Sequence, residues 1–322
     1  TCTVTGGNWC MQGLFLSGGA QVLSDDRTTI EFGSDAAVDT VQTFRDMFDA
    51  GVLANQDSTS MYEAFAQGKT VKIGELNSYK VFPAFLEPYK KGMELAVEEV
   101  NAAGGVLGRK LELVTRDDGG TPGDAVRVAE ELISRERVDV LMGTFATNVG
   151  LAVANLANQR KKLFLASEPL TDKIVWENGN RYTWRLRPST YMQSAMLIPE
   201  AAKLKKKRWA IVYPNYEYGQ SATDSFKRLL AQAQPGVEFV AAQGPALGRI
   251  DAGAVVQALA EAKPDAIFSS LFAADLQKFV REGNTRGLFR RTTVFNLLAG
   301  EPEYLDPLKD ETPEGWWVTG YP

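Results

Sequence analysis

Along residues 71–118 the hydrophobic pattern changes period twice. Val71, Ile73 and Leu76 make a short apolar run, and Phe85, Tyr89, Met93, Ala96, Val97 and Val100 then recur at steps of three and four, the period of a helix with one buried side. Lys90, Lys91, Glu94 and Glu98 fill the opposite side. The pattern stops at Asn101-Ala102-Ala103-Gly104-Gly105, where glycine supplies the left-handed backbone of a helix C-terminus. Leu111, Leu113 and Thr115 then alternate with polar neighbours, as a strand does. Strand, helix and strand at this spacing predict a parallel pair joined by a right-handed crossover, the repeating unit of an open α/β sheet.

The alternation continues to the end of the chain. Thr121-Pro122-Gly123-Asp124 reads as a helix start, with threonine as N-cap, proline in the first position and a carboxylate in the first turn. Ala125, Val128, Ala129, Leu132 and Ile133 form its apolar face. Strands are predicted at 138–142 and 163–166 with a helix over 149–160 between them, and residues 182–186 lead out of a first lobe spanning 71–190. A second lobe, 191–322, is predicted to carry strands at 209–213, 237–241, 266–270, 294–297 and 316–319 and helices over 220–234, 252–262 and 274–282. The expected fold class is α/β: two lobes, each an open, mostly parallel sheet flanked by helices.

Composition narrows the chemistry. The 322 residues suffice for two cores, and a net charge of -5 argues against a nucleic-acid partner. Histidine is absent, which removes imidazole bases, Ser-His and Cys-His nucleophiles and His-ligated zinc. Catalysis by carboxylates such as Asp117, Glu168 or Glu217 stays open as a rival class. Cys2 and Cys10 fit either a small disulfide in an oxidising compartment or two free thiols. The chain opens at Thr1 without a signal-peptide pattern, so the expectation is a mature or truncated chain.

The run G-x-x-L-A-V-x-x-V-N-x-x-G-G-V-L-G-R-K-L-E-L over residues 92–113, followed by a strand ending in Asp117-Asp118, resembles the opening of periplasmic binding proteins of the branched-chain amino-acid type. The likeness continues from about residue 71 to the end. It implies a two-lobed, type I-like fold whose lobes close over a small polar ligand, an amino acid, amide or small carboxylate, and an ABC-importer permease in the membrane as partner. It also implies a periplasmic or extracellular location, no cofactor and no catalysis. The other readings are a chimeric or truncated binding-protein fusion with impaired binding and a cytoplasmic ligand sensor on the same fold. Residues 1–70 resemble instead a segment of sugar-type extracellular binding proteins, with a short strand at 29–32 and a helix capped by Ser34 whose Val38, Val41, Phe44 and Phe48 face inward. A junction of two binding-protein pieces near Thr70 and a single protein with an unusual N-terminal extension both fit. The family adds a C-terminal portion after a strand such as 316–319, so either that piece is missing or the first 70 residues substitute for it.

In open parallel sheets ligands bind beyond the carboxyl ends of the strands. The loops there supply Tyr79 and Phe82, Thr147 and Asn148, Glu168 and Thr171, Tyr218, and Phe272 as candidate ligand contacts. Thr147 and Asn148 stand at a predicted helix start, where free N-H groups favour a carboxylate; the plainer role is an N-cap. The resemblance also places ligand-carboxylate contacts at these two positions. It implies that Tyr218, in a Tyr-Gly pair, caps the ligand on closure. Glu168 departs from the small residues usual at its place and either takes a donor group or faces solvent. Amino-acid binders carry an acid for the ammonium near 296–300, where only Glu301 lies close, which favours a carboxylate, amide or aromatic acid. Gly104 to Gly108 lacks the strand-to-helix context of a phosphate loop, Asp117, Asp118 and Asp124 lack calcium-loop spacing, and the basic run at 203–208 reads as helix-terminal cations.

Overall fold

The computed structural model describes residues 70–320 and, before them, only the helical positions Val38 and Gln42. The chain divides into two compact units at Lys69/Thr70. The remaining expectations for the first unit, including the strand at 29–32, Ser34 and the cysteines, lie outside the described residues. Val38, expected to face inward, is 57% exposed. Gln42, one turn on, is exposed as well.

The second unit holds two five-stranded sheets, parallel throughout. The first is built from β1 (Thr70–Asn77), β2 (Lys110–Asp117), β3 (Val140–Gly143), β4 (Leu163–Ala166) and β5 (Thr183–Arg185), in the order β2-β1-β3-β4-β5. The second contains β6 (Arg208–Val212), β7 (Glu238–Gln243), β8 (Ala266–Ser269), β9 (Thr293–Asn296) and β10 (Trp317–Val318), in the order β10-β9-β8-β6-β7. The connecting helices are α1 (Pro83–Ala102), α2 (Pro122–Ser134), α3 (Thr147–Arg160), α4 (Thr190–Lys203), which links the two sheets, α5 (Glu217–Ala233), α6 (Ala252–Glu261), α7 (Ala273–Thr285) and the short α8 (Pro302–Leu305). Both sheets change direction of winding next to their first strand, which opens a crevice at the carboxyl ends of the strands. Among the described residues no helix is long and apolar enough to cross a membrane.

Local chemistry accounts for several of these elements. Thr121 caps α2 by accepting the Asp124 N-H, with Pro122 next to it, as its sequence predicts. At the end of β3 the backbone of Gly143 has φ +125, and a Cβ there would fall 2.0 Å from the Leu76 carbonyl oxygen, so only glycine lets β3 run this close to β1.

Each sheet has its own apolar core. Leu76, Leu141 and Phe164 pack against Val128, Leu132, Val149 and Val153 in the first lobe. In the second, Trp209, Phe226, Phe268 and Phe295 pack together, with the Phe226 and Phe268 rings stacked 4.0 Å apart. The long face expected for α1 is different. Only Phe85 and Leu86 are buried, joining the second lobe's core, whereas Met93, Val97 and Val100 are half-buried and Ala96 is exposed. The first turns of α1 reach between the lobes. Among the described residues its later turns lie mainly against β2, an edge strand, which is too narrow to cover the whole stripe.

Glu75 is fully buried near the end of β1, where neighbours on both sides exclude water. Its carboxylate accepts hydrogen bonds from Asn77 Nδ2 (2.8 Å) and the Tyr79 hydroxyl (2.9 Å). Burial outweighs these bonds and pushes its pKa up to about 7. A raised folded-state pKa means stability that is fully present below about pH 4.5 and is lost as pH rises through about 7. A single such group changes stability by at most about 1.4 kcal/mol per pH unit. In urea unfolding across that window, Glu75→Gln is expected to flatten the decline seen in the wild type; an unchanged slope would show that Glu75 does not titrate there. In the second lobe, Phe226→Ala is expected to lower unfolding free energy by about 3–5 kcal/mol, measured in the same titrations.

Candidate functional site

The loops at the carboxyl ends of β3, β4, β6, β8 and β9 meet around a small cavity of about 20 Å³. The first lobe contributes Phe145, Thr147, Glu168 and Leu170, the segment leaving β5 contributes Arg187, and the second lobe contributes Tyr216, Tyr218, Phe272, Leu298 and Tyr304. This volume holds about one water molecule, against the several hundred Å³ usual for small-molecule pockets. Groups from both lobes therefore crowd the site in this conformation.

Its walls are aromatic. The Phe272 ring lies 6.0 Å from Phe145, 5.8 Å from Tyr218 and 6.3 Å from Tyr304. Tyr218 is held at the start of α5 by a turn that Gly219 permits, because a Cβ at 219 would lie 2.0 Å from the Pro214 carbonyl oxygen. The Tyr218 hydroxyl is buried and has no hydrogen-bond partner among the described residues. Burial drives the pKa values of Tyr218 and Tyr304 well above that of an ordinary phenol, so both hydroxyls stay protonated and Tyr218 can donate to a ligand.

The polar centre is Arg187. Its Nη1 donates to Glu168 Oε2 at 2.8 Å and its Nη2 to Glu301 Oε1, and its guanidinium lies 5.9 Å from the centre of the Phe85 ring. Glu168 follows β4 in the first lobe and Glu301 follows β9 in the second, so one guanidinium joins the two. Glu301 Oε2 is buried without a partner among the described residues. Burial raises the pKa of both carboxyls and Arg187 opposes the shift; Glu301, which also feels Glu168 and Glu303, reaches about 7.

The candidates from sequence separate into three groups. Thr147, Glu168, Tyr218 and Phe272 line the cavity. Glu168 is buried, contrary to the solvent-facing alternative, because Arg187 holds it inward. Phe82 stands behind the wall, its ring 4.5 Å from Phe145 and 6.1 Å from Phe272. Tyr79, Asn148 and Thr171 do not line it. Tyr79 is occupied by Glu75, and Asn148 is half-buried one position beyond Thr147. The cap of α3 is Ala146, without a side-chain bond, so neither Thr147 nor Asn148 plays the N-cap role; Thr147 Oγ1 instead accepts the Leu170 N-H at 3.4 Å.

Thr171 belongs to a second contact between the lobes. Its hydroxyl donates to Glu217 Oε1 at 2.9 Å, and Lys173 Nζ reaches Glu217 Oε2 at 3.2 Å. Beside it, Asp172 accepts from the hydroxyls of Thr190 (2.9 Å) and Ser225 (3.2 Å). Of the carboxylates considered for catalysis only Glu168 lines the cavity. Asp117 accepts the N-H groups of Lys80 and Gly119 in a turn.

Among the lining residues, sequence reasoning missed Phe145, Leu170, Arg187, Tyr216, Leu298 and Tyr304, and it named Glu301, which pairs with Arg187, only as lying close. The rule that selected the other loops would have found Arg187, since it follows β5 by two residues. Leu298, Glu301 and Tyr304 follow β9, where the chain turns back into α8.

Comparison with known proteins agrees with this architecture. The periplasmic binding protein family model matches residues 70–322. The chain is 27% identical over 227 residues to Leu/Ile/Val-binding protein homolog 7 of Brucella suis, covering 67% of this chain and 56% of that protein. It is 25% identical over 231 residues to an amino acid binding protein of Pseudomonas aeruginosa, covering 69% and 61%. It thus spans little more than half the length of these relatives. A solute binding protein of an ABC transporter from Rhodopseudomonas palustris BisB5, solved in complex with 3,4-dihydroxy benzoic acid, superposes with a TM-score of 0.65 at 26% identity, over 71% of this chain and 62% of that one. With the model matching the whole of both sheets, the chain belongs to the periplasmic binding protein family.

Proposed function

We propose that this chain is a solute-binding protein of an ABC importer, working in the periplasm or outside the cell and delivering its ligand to a membrane permease. The ligand is a small polar molecule, an amino acid, amide or small carboxylate, captured between the lobes by hinge closure. The observation that carries this reading is the buried, aromatic-walled cavity whose polar groups come from both lobes, with Arg187 joined to Glu168 on one side and Glu301 on the other. A site built from two halves forms fully only when the halves meet, so a ligand touching both favours the closed state.

Glu301 changes the weight given to amino acids. Its free carboxylate oxygen beside the cavity suits a donor such as an ammonium or amide N-H. The names of the relatives from Brucella and Pseudomonas favour amino acids, and the Rhodopseudomonas protein favours aromatic acids. No covalent step is part of the proposal.

Thermal melts of the purified chain with amino acids, amides, small carboxylates, aromatic acids and sugars test the reading, because a ligand that binds only the folded state raises the midpoint. A shift with an amino acid, amide or acid is expected; no shift with any of them would overturn the proposal. For the ligand so found, Tyr218→Ala and Phe272→Ala are each expected to weaken binding at least tenfold in calorimetric titration, with Thr171→Ala, outside the cavity, affecting it less. Small-angle scattering checks the closing contact: Thr171→Ala combined with Glu217→Gln is expected to increase the radius of gyration of the ligand-free protein and leave that of the saturated protein unchanged.

A further inference from the structure

Among the described residues, three carboxyls stand around the cavity against the Arg187 cation. Glu168, Glu301 and Glu303 act on one another electrostatically, and Arg187 is the cation acting on Glu168 and Glu301. Arg187 divides its guanidinium between Glu168 Oε2 and Glu301 Oε1, and its side chain is 12% exposed against 6% for Glu168 and 3% for Glu301. A ligand carboxylate entering this space meets a cation already occupied on both arms and adds another negative charge to a poorly hydrated site. Both effects oppose binding.

We infer that Glu168 is a specificity-determining residue, a tethered competitor that holds the face of Arg187 a ligand carboxylate would otherwise take, so that the cavity discriminates against ligands whose only charge is a carboxylate. The inference rests on reading this cavity as the ligand site. Glu168 is suited to the role by position, since it lines the cavity itself and its carboxylate approaches Arg187 from the first lobe while Glu301 approaches from the second. Replacement by glutamine keeps the size and an oxygen acceptor for Arg187 Nη1 and removes one negative charge. Arg187 keeps its ion pair with Glu301, so no buried cation is stranded.

The test is isothermal titration of wild type, Glu168→Gln and Glu168→Ser with benzoate and isovalerate, which carry a carboxylate alone, and with the ligand panel of the thermal melts. Circular dichroism melts confirm that the variants fold; the serine variant gives a smaller, neutral replacement should glutamine disturb packing. The expected result is a tenfold or greater gain in affinity for benzoate or isovalerate in a folded variant, with a smaller gain for any ligand that also carries an ammonium or amide. If the wild type binds members of the panel and neither variant gains affinity for the monocarboxylates, the role of Glu168 is refuted while the solute-binding function stands. If no protein binds any compound, the reading of the cavity falls and this inference falls with it.

Discussion

The sharing of one guanidinium between two carboxylates from different lobes is the constraint on which the site depends. Removing an arginine and two glutamates from water is unfavourable, and their attraction compensates only while the geometry is good. Arg187 meets that condition with a bond to each lobe and the Phe85 ring beside it. Phe85 comes from α1 and belongs to the second lobe's apolar core, so the ion pairs and the packing between the lobes reinforce one another. Thr171, Lys173 and Asp172 add polar contacts away from the cavity. The lobes are thus joined at more than one place.

The division of labour follows from the sheets. Parallel strands place all their outgoing loops at one end, so the β3, β4, β6, β8 and β9 loops converge without any of them being long. The rigid parts lie behind, in cores built on Leu76, Leu141 and Phe164 in one lobe and on Trp209, Phe226 and Phe295 in the other. Gly143 and Gly219 act where backbone comes close to backbone, one holding β3 against β1 and the other setting the turn that presents Tyr218. Side chains at the site can therefore vary in chemistry without disturbing the frame.

Periodicity in the sequence points to the longer helices, the strands and the two-lobed α/β class, because apolar spacing reports which face of an element is covered; the four-residue α8 is too short to show a repeat. It failed for the later turns of α1, where the pattern shows an apolar stripe but not how much neighbouring surface is available to meet it. The carboxyl-end rule identified Thr147, Glu168, Tyr218 and Phe272 as lining residues. It could not tell that Tyr79 is held by Glu75 or that Thr171 meets Glu217, a partner 46 positions away. Arg187 was passed over because reading stopped at the strand leading out of the first lobe. Charge partnership is a property of the folded arrangement, and a single sequence carries little trace of it.

The smallness of the cavity also bears on the concentration range over which the protein would respond. A space of about 20 Å³ is far smaller than usual small-molecule pockets, so under the proposed hinge closure binding begins from a more open arrangement in which the contacts between the lobes are broken. If only a fraction of ligand-free molecules is open at a given moment, apparent affinity falls in proportion to that fraction, however good the contacts in the final complex. The strength of the contacts made without ligand then sets the solute level at which the protein fills, and evolution can adjust that threshold at Thr171 or Glu217 while leaving the chemistry of recognition unchanged.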